Sequence, residues 1–362
     1  MVEVNEYVKI CKRLNIKYPI IQAGMAGGPT TPELVAAVSN AGALGTLGAG
    51  YMSPEDIRKV LSEIMTLTEK PFAVNLFLPQ VYEKNEQQIL SMQKQLNKYR
   101  QKLGLPEVST VPDIQNHFEQ QLNVMIEAGV KVLSFTFNEP SADLVEKLHD
   151  HGITVIATAT TVKEAKNLEL RGVDMIVAQG SEAGGHRGTF LNGEEEALIG
   201  TMALVPQIVD AVECPVIAAG GIMDGRGMMA ALSLGASAVQ LGTAFLTIKE
   251  SGASEIHKSA ILASKDTDTK VTSAFSGKSA RGMKNEMMLS LENTKNLPPY
   301  PIQHMLTSDI RKEAARQGNK EFVSMWAGQA SAMSKESTAK ELINQLVSDC
   351  KNTLSSLSTD WK

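Results

Sequence analysis

The sequence predicts a (β/α)8 TIM barrel with a helical insertion after the third strand and a C-terminal extension that folds back near the barrel mouth. Three observations carry that expectation. Eight short runs rich in Val, Ile, Leu and Ala recur up to Phe245, and helical patterns alternate with them. The runs are continuous rather than alternating, which suits strands covered on both faces, as in a parallel sheet. Five helical stretches end in glycine just before the next run, at Gly42, Gly129, Gly152, Gly172 and Gly235. A helix stopped by a left-handed glycine and feeding a strand makes the short αβ loop of a repeating fold. Eight such units favour a closed barrel over an open doubly wound sheet.

The runs are YPIIQAGM (18–25), ALGTLGAG (43–50), PFAVNLFL (71–78), VKVLSFTF (130–137), TVIATAT (154–160), DMIVAQG (174–180), PVIAAGG (215–221) and AVQLGTAF (238–245). Between them stand helical stretches such as PELVAAVSNAG, PEDIRKVLSEIMTL and TVKEAKNLELRG, with Thr31, Ser53 and Thr161 placed as N-caps. Residues 79–119 break the repeat. They are polar and rich in Gln, Asn and Lys, and read as a helical excursion over the barrel mouth. A helix near 252–264 completes the barrel. The expected division is 1–265 for the barrel with its insertion and 266–362 for the extension. FSGKSARGMKN, LPPYPIQHM and MWAGQ are the distinctive pieces of that extension, and an amphipathic helix from about Ser334 ends it.

Composition narrows the class. Of 362 residues, 43% are apolar and 21% charged, which supplies an ample core. A net charge of −5 with no basic stripe argues against nucleic acid as a partner. Cys11, Cys214 and Cys350 are odd in number and far apart, so neither a disulfide framework nor CxxC metal spacing is present. With no apolar leader and no run of the ~18 apolar residues that a membrane span needs, the expectation is a soluble protein of the reducing cytoplasm. No HxH or paired carboxylates end the strands, so no metal is expected.

In a barrel, ligand chemistry gathers at the C-terminal ends of the strands. The unusual residues of this chain fall there: Gln22, Ala23, Gly24 and Met25 after the first strand, Asn75 in the third, Gln179 and Gly180 after the sixth. Gly220 and Gly221 follow the seventh, and Gln240, Leu241, Gly242 and Thr243 close the eighth. Glycines at the seventh and eighth strand ends let backbone N–H groups approach a phosphate, although they also serve tight turns. The amides could satisfy one another, or could meet a heteroaromatic ring edge that both donates and accepts, such as an isoalloxazine. No GxGxxG follows the first strand, so a Rossmann site is not supported.

The run AQGSEAGGHRG (178–188) sets one histidine among glycines directly after a strand. Gly180, Gly184 and Gly185 would let this loop lie flat against a cofactor without Cβ clashes. His186 would then stand over the ring and move a proton at the substrate. A lone histidine is commonly structural, but glycine rather than apolar neighbours favour function here. Glu182 is placed to accept backbone N–H bonds. His117, His257 and His304 lack such a setting, and His149 and His151 read as a solvated helix end.

Together with IIQAGM, PVIAAGGIMDGRG, VQLGTAFL, FSGKSARGMKN and MWAGQ, this run resembles the nitronate monooxygenase family, formerly called 2-nitropropane dioxygenases, over residues 14–330. The resemblance implies FMN held non-covalently and no metal. Asn75, Gln179, Gly184, Gly221 and Gln240 to Thr243 match the family's flavin contacts, and His186 matches its catalytic histidine. In that family an alkyl nitronate such as propionate 3-nitronate passes an electron to FMN. Oxygen then reacts, and a carbonyl compound and nitrite are released. His186 would be the base toward a neutral nitroalkane and a positioning group toward a nitronate. Tyr300 and Lys278 either line the substrate pocket or are packing residues.

The EAGGH run does not separate this activity from the NAD(P)H-dependent flavin enoyl-acyl-carrier-protein reductases, although the C-terminal MWAGQ portion favours the first. A flavin-binding protein without turnover is a third reading, against which the intact His186 argues. The expected reactants are a small molecule and O2, and the oligomeric state is open between monomer and homodimer.

Overall fold

The computed structural model describes residues 6–113, 116–191, 193, 195–294 and 296–359. Its centre is a ring of parallel strands: β1 (Ile20–Gln22), β2 (Gly45–Gly48), β3 (Phe72–Phe77), β4 (Val132–Thr136), β5 (Thr154–Ala159) and β6 (Met175–Gln179). A two-residue strand, β7 (Gly185–His186), lies outside the ring, which continues with β8 (Val216–Ala219) and β9 (Ala238–Leu241). The sheet runs in the order β1-β9-β8-β6-β5-β4-β3-β2. A parallel bridge between Ile21 and Leu44 brings β1 against β2 and closes the circle. This is the (β/α)8 barrel that the eight apolar runs predict.

Alternation along the strands sorts the core into two parts. Ile20, Val74, Leu133, Val155, Ile176, Val216 and Val239 pack with the surrounding helices in the main cluster. Ile21, Ala73, Val132, Ile156, Val177, Ile217 and Ala238 form a second, inner cluster with Ile10 and Leu14 of the first helix, Glu6–Leu14. That helix covers the end opposite the ligand face, and Arg13 on it pairs with Asp174 at the start of β6. Ile10 and Leu14 are almost wholly buried there, worth about 2 kcal/mol each.

The local signals hold. The glycines at 42, 129, 152, 172 and 235 all adopt positive φ, between 66° and 96°. Thr31, Ser53 and Thr161 accept from the backbone N–H three residues on, at 3.0, 3.1 and 3.2 Å. Among the described residues no helix is long and apolar enough to cross a membrane.

The insertion and the extension share a core. Ile89, Met92, Leu96 and Tyr99 of the inserted helix Glu86–Leu103 pack with Met287, Met288, Ile302, Leu306, Ile310 and Phe322 of the extension. Arg100 is buried in this contact, donating to Asp309 at 2.7 Å and to the Leu306 carbonyl at 2.8 Å. Two strands of the extension, β10 (Thr269–Thr272) and β11 (Ala280–Met283), form an antiparallel sheet with β7. The last helix, Ala339–Thr359, returns to the barrel, where Ile343, Leu346 and Cys350 join the main cluster. Residues 114 and 115, at the end of the predicted insertion, lie outside the described residues.

Candidate active site

A cavity of about 1080 Å³ opens at the C-terminal ends of the barrel strands and is covered from the side by the extension. One wall begins where β6 ends. The chain turns through the glycine-rich loop and enters β7, whose Gly185 and His186 pair antiparallel with Arg281 and Ala280 of β11. That pairing, supplied from almost a hundred residues downstream, fixes the backbone of His186.

The His186 ring is held as tightly as its backbone. Nε2 lies 2.8 Å from the Ser276 hydroxyl, which donates its own hydrogen to the Lys278 carbonyl at 3.0 Å. With the Ser276 hydrogen on the Lys278 carbonyl, the hydroxyl accepts from the ring, and this arrangement assigns the hydrogen of neutral His186 to Nε2 and leaves the Nδ1 lone pair free. Nδ1 has no partner among the described residues. Phe137, Trp326 and Tyr300 surround the ring at centroid distances of 5.4, 5.3 and 5.9 Å. Burial, with the positive charges of Lys278 and Arg311 added, pulls its pKa down to about 3, so the imidazole is neutral at physiological pH.

The loop itself is clamped from behind. Gln179 donates to the His186 carbonyl at 3.0 Å and accepts from the Gly188 N–H at 2.8 Å. Arg187, fully buried, donates to the carbonyls of Gly180, Gln179 and Ala197 at 2.6, 2.8 and 3.0 Å. The Glu182 carboxylate accepts from the Thr201 N–H and hydroxyl, standing in for the side-chain cap that Gly200 cannot provide at the helix Thr201–Val209. The backbone-accepting role expected of Glu182 is thus met. Gln179, expected at the cofactor, lines the cavity and also commits its carboxamide to the histidine loop.

The glycines of this loop answer contacts within the protein itself, beside any approach to a cofactor. A Cβ at Gly184 would lie 2.6 Å from the backbone of Ala327 and Gly328, and one at Gly180 would meet the Thr201 N–H at 2.6 Å. The protein's own chain demands those two glycines, whereas Gly185 answers a φ of 76°. The segment at 184 is MWAGQ, which runs along β11 (Met283 N–H to Met325 O, 2.8 Å) and crosses the loop. It is fixed there by Gly328 N–H to Thr243 Oγ1 at 2.9 Å and Gln329 N–H to Glu182 O at 2.9 Å.

Most of the expected site residues converge on the cavity. Ala23, Gly24, Met25, Asn75, Gln179, Gly184, His186, Gly220, Gly221, Gln240, Leu241, Gly242, Thr243 and Tyr300 all line it. Three do not. Gln22 is buried inside the barrel, where its carboxamide bonds the Thr46 N–H at 3.0 Å and carbonyl at 3.2 Å and ties β1 to β2. Gly180 faces Thr201. Lys278 sits one layer back, donating to the Thr189 carbonyl at 2.8 Å with its ammonium 5.5 Å from the Phe137 ring centre.

The remaining lining groups suit a flavin. The N–H groups of Gly220, Gly221, Gly242 and Thr243 find no backbone acceptor among the described residues. Gly220 and Gly221 hold φ of 116° and 71°, a turn that glycine makes without strain. The Gln240 carboxamide has no partner among the described residues, and the Asn75 Nδ2 is occupied by Ser134 and Thr136 while its Oδ1 accepts nothing. These are open donors and acceptors around one cavity, the set that a phosphate and a polar ring edge would satisfy. Among the described residues no group of three His, Cys, Asp or Glu could hold a metal ion.

The far wall was not legible. Tyr51 stacks on His304 at 4.3 Å and 10°, beside Tyr300, Phe77 and Arg311. His304, His117 and His257, set aside on sequence grounds, all line the cavity. His257 is spoken for by the Trp326 carbonyl at 2.9 Å, and burial pulls its pKa down to about 4. Phe137 carries a φ of 83°, unusual for an aromatic residue and found here where β4 meets the cavity. Position after the second strand was the available signal for Tyr51. None marked His304 or Arg311.

The chain is similar to known proteins over nearly its whole length. The family model described as Nitronate monooxygenase matches residues 9–349. A probable nitronate monooxygenase of Staphylococcus haemolyticus is 48% identical over 349 residues, covering 96% of this chain and 98% of that one. Nitroalkane oxidase from Streptomyces ansochromogenes superposes with a TM-score of 0.89 at 36% identity, over 96% of this chain and 99% of its own. FabK from Thermotoga maritima does so with a TM-score of 0.77 at 31% identity, over 97% and 98%. The fold and these matches together define a flavin-dependent barrel oxidoreductase. Within that class the chain belongs to the nitronate monooxygenase family.

Proposed function

We propose that the protein is an FMN-dependent enzyme that oxidises alkyl nitronates, such as propionate 3-nitronate, with O2 to a carbonyl compound and nitrite. The observation that carries this reading is a neutral His186 with a free Nδ1 on a cavity that also offers unpaired amides at Gly220, Gly221, Gly242 and Thr243. Those amides would hold the FMN phosphate, and Asn75 and Gln240 would meet the ring edge. Bound there, the flavin supplies one-electron chemistry toward substrate and oxygen.

The chain's own groups do the rest. Lys278 and Arg311 set a positive field around His186, which favours an anionic substrate. Toward a neutral nitroalkane, Nδ1 is the atom that takes the proton, while Nε2–H stays bonded to Ser276. Toward a nitronate already ionised, the ring positions the substrate. Phe137, Tyr300 and Trp326 surround this corner with aromatic surface. Three free cysteines, with the Cys11 and Cys214 thiols pushed up by burial to about 11 and 12, suit a reducing cytoplasm.

The test is anaerobic mixing of the flavin-loaded protein with propionate 3-nitronate and, separately, with NADH or NADPH, followed at the flavin absorbance bands. Reduction by the nitronate alone, with nitrite released on admitting air, is the expected result. Rapid bleaching by NADH or NADPH would replace this reading with the enoyl reductase. A protein that cannot be loaded with FMN would remove both.

A further inference from the structure

The far wall of the cavity holds a cation that no carboxylate pairs directly among the described residues, with Asp309 acting on it only at longer range. Arg311, on the helix Ser308–Arg316, lines the cavity together with Tyr51, Tyr300 and His304. Its Nε donates to Thr307 Oγ1 at 3.1 Å, and its Nη2 donates to the His304 carbonyl at 2.9 Å with His304 Nδ1 at 3.3 Å. Those bonds hold one edge of the guanidinium. Among the described residues Nη1 has no acceptor and no carboxylate pairs with this side chain. The neighbouring Asp309 is taken, in ion-pair contact with Arg100 at 2.7 Å.

Arg100, the other enclosed arginine of the insertion–extension contact, has Asp309, Gln93 and Asn97, and Arg187 bonds three backbone carbonyls through its Nη atoms and leaves only Nε without a partner. The two carboxylates on the cavity lining are also engaged: Glu182 with Thr201, and Asp56 with the Ser53 hydroxyl at 2.7 Å. A guanidinium withdrawn from bulk water with donors unspent is costly unless an anion arrives, and its planar fork suits a carboxylate.

Position decides which anion. The amides suited to the flavin phosphate lie at the ends of β8 and β9, whereas Arg311 belongs to the extension. From His186 the wall runs through Tyr300, 5.9 Å between ring centres, to His304 at a further 6.3 Å, and His304 touches Arg311. Arg311 is near enough to act on the charge of His186, so a reacting carbon at His186 and a charged group toward Arg311 can belong to two ends of one substrate.

We propose that Arg311 recognises a carboxylate at the tail of the substrate, so that the site selects nitro compounds and nitronates carrying this second acidic group over plain alkyl ones. The identity of the substrate's reacting head rests on the function proposed above; the carboxylate at its tail does not.

The test titrates the flavin-loaded protein anaerobically with 3-nitropropionate and with its uncharged counterpart 1-nitropropane, reading Kd from the flavin absorbance change. Wild type is expected to prefer 3-nitropropionate by roughly 10- to 100-fold, the range for a charge-assisted pair. Arg311→Met should collapse that ratio to within about 3-fold, and Arg311→Lys should restore part of it. In turnover with propionate 3-nitronate the loss should fall on KM more than on kcat. A ratio that survives in Arg311→Met, or a wild type with no preference, overturns the proposal, and the second outcome needs no variant to fold. A wild type that binds with the preference yet oxidises no nitronate would defeat the proposed reaction and leave the Arg311 assignment standing.

Discussion

Gln179 holds His186 in place from the far side of its own loop: Nε2 donates to the His186 carbonyl at 3.0 Å while Oε1 accepts from the Gly188 N–H at 2.8 Å. The side chain ending β6 thus spans both flanks of the residue proposed to move the proton. Gln179→Glu keeps the acceptor for Gly188 but turns a second acceptor toward the His186 carbonyl. We expect kcat to fall roughly 10- to 100-fold as the ring shifts, with a stability loss of about 1–3 kcal/mol. Steady-state kinetics beside urea unfolding would check it, and wild-type kcat in this variant would refute the clamp.

Two adjacent glycines should respond differently to alanine. At Gly184 the new Cβ would lie 2.6 Å from the Ala327–Gly328 backbone, which is itself tied to Thr243 and Glu182 and cannot retreat cheaply. Gly184→Ala should cost about 3 kcal/mol. At Gly185 a Cβ meets nothing within 4 Å, and only the positive φ opposes it, at about 1 kcal/mol. Equal losses in denaturant titrations would show that loop strain, not the crossing of MWAGQ, explains the glycines.

Gln240 offers a readout of the cofactor site that is independent of turnover. Its carboxamide has no protein partner among the described residues, so Gln240→Leu should leave the stability of the flavin-free protein within about 0.5 kcal/mol. The Kd for FMN should rise about 5- to 10-fold through the lost hydrogen bonds. Fluorescence titration with FMN measures this directly. Unaltered affinity would remove Gln240 from the ring edge.

Acid should destabilise the fold through buried histidines. Burial is the largest cause in each case, and it pulls His186 to about 3, His257 to about 4 and His304 to about 2. In the unfolded chain they titrate near the ordinary value of about 6.5. Below that pH the unfolded state binds more protons than the native one, so stability is held above pH ~6.5 and drains away as pH falls. Each histidine should contribute about 1 kcal/mol of loss between pH 7 and pH 5.5. Chemical unfolding at the two pH values would measure it, and His257→Asn should flatten part of the slope. A pH-independent midpoint over this range would contradict the burial.

What could be read in advance was local in origin. Thr31 and Ser53 cap their helices, and Gly42 and Gly235 turn left-handed, because those conformations depend on residues within one turn of chain. The strand-end residues were legible for a related reason. Once eight β/α units close a ring, every strand C-terminus faces the same side, so Asn75, Gly221, Gln240 and His186 share a cavity without further information.

Sequence by itself determined the barrel, its ligand face, and the histidine and amides around one pocket, since periodicity and turn chemistry act over short stretches of chain. Tertiary structure alone decided that Ser276 sets the His186 tautomer, that MWAGQ forbids a side chain at 184, and that Gln22 points into the barrel interior rather than the pocket. It alone brought Tyr51, His304 and Arg311 to the far wall. The contacts of Ser276, MWAGQ and the far wall join segments separated by many tens of residues, and the buried core shared by insertion and extension packs beside them. No local propensity encodes such a meeting; it exists only once that core has closed.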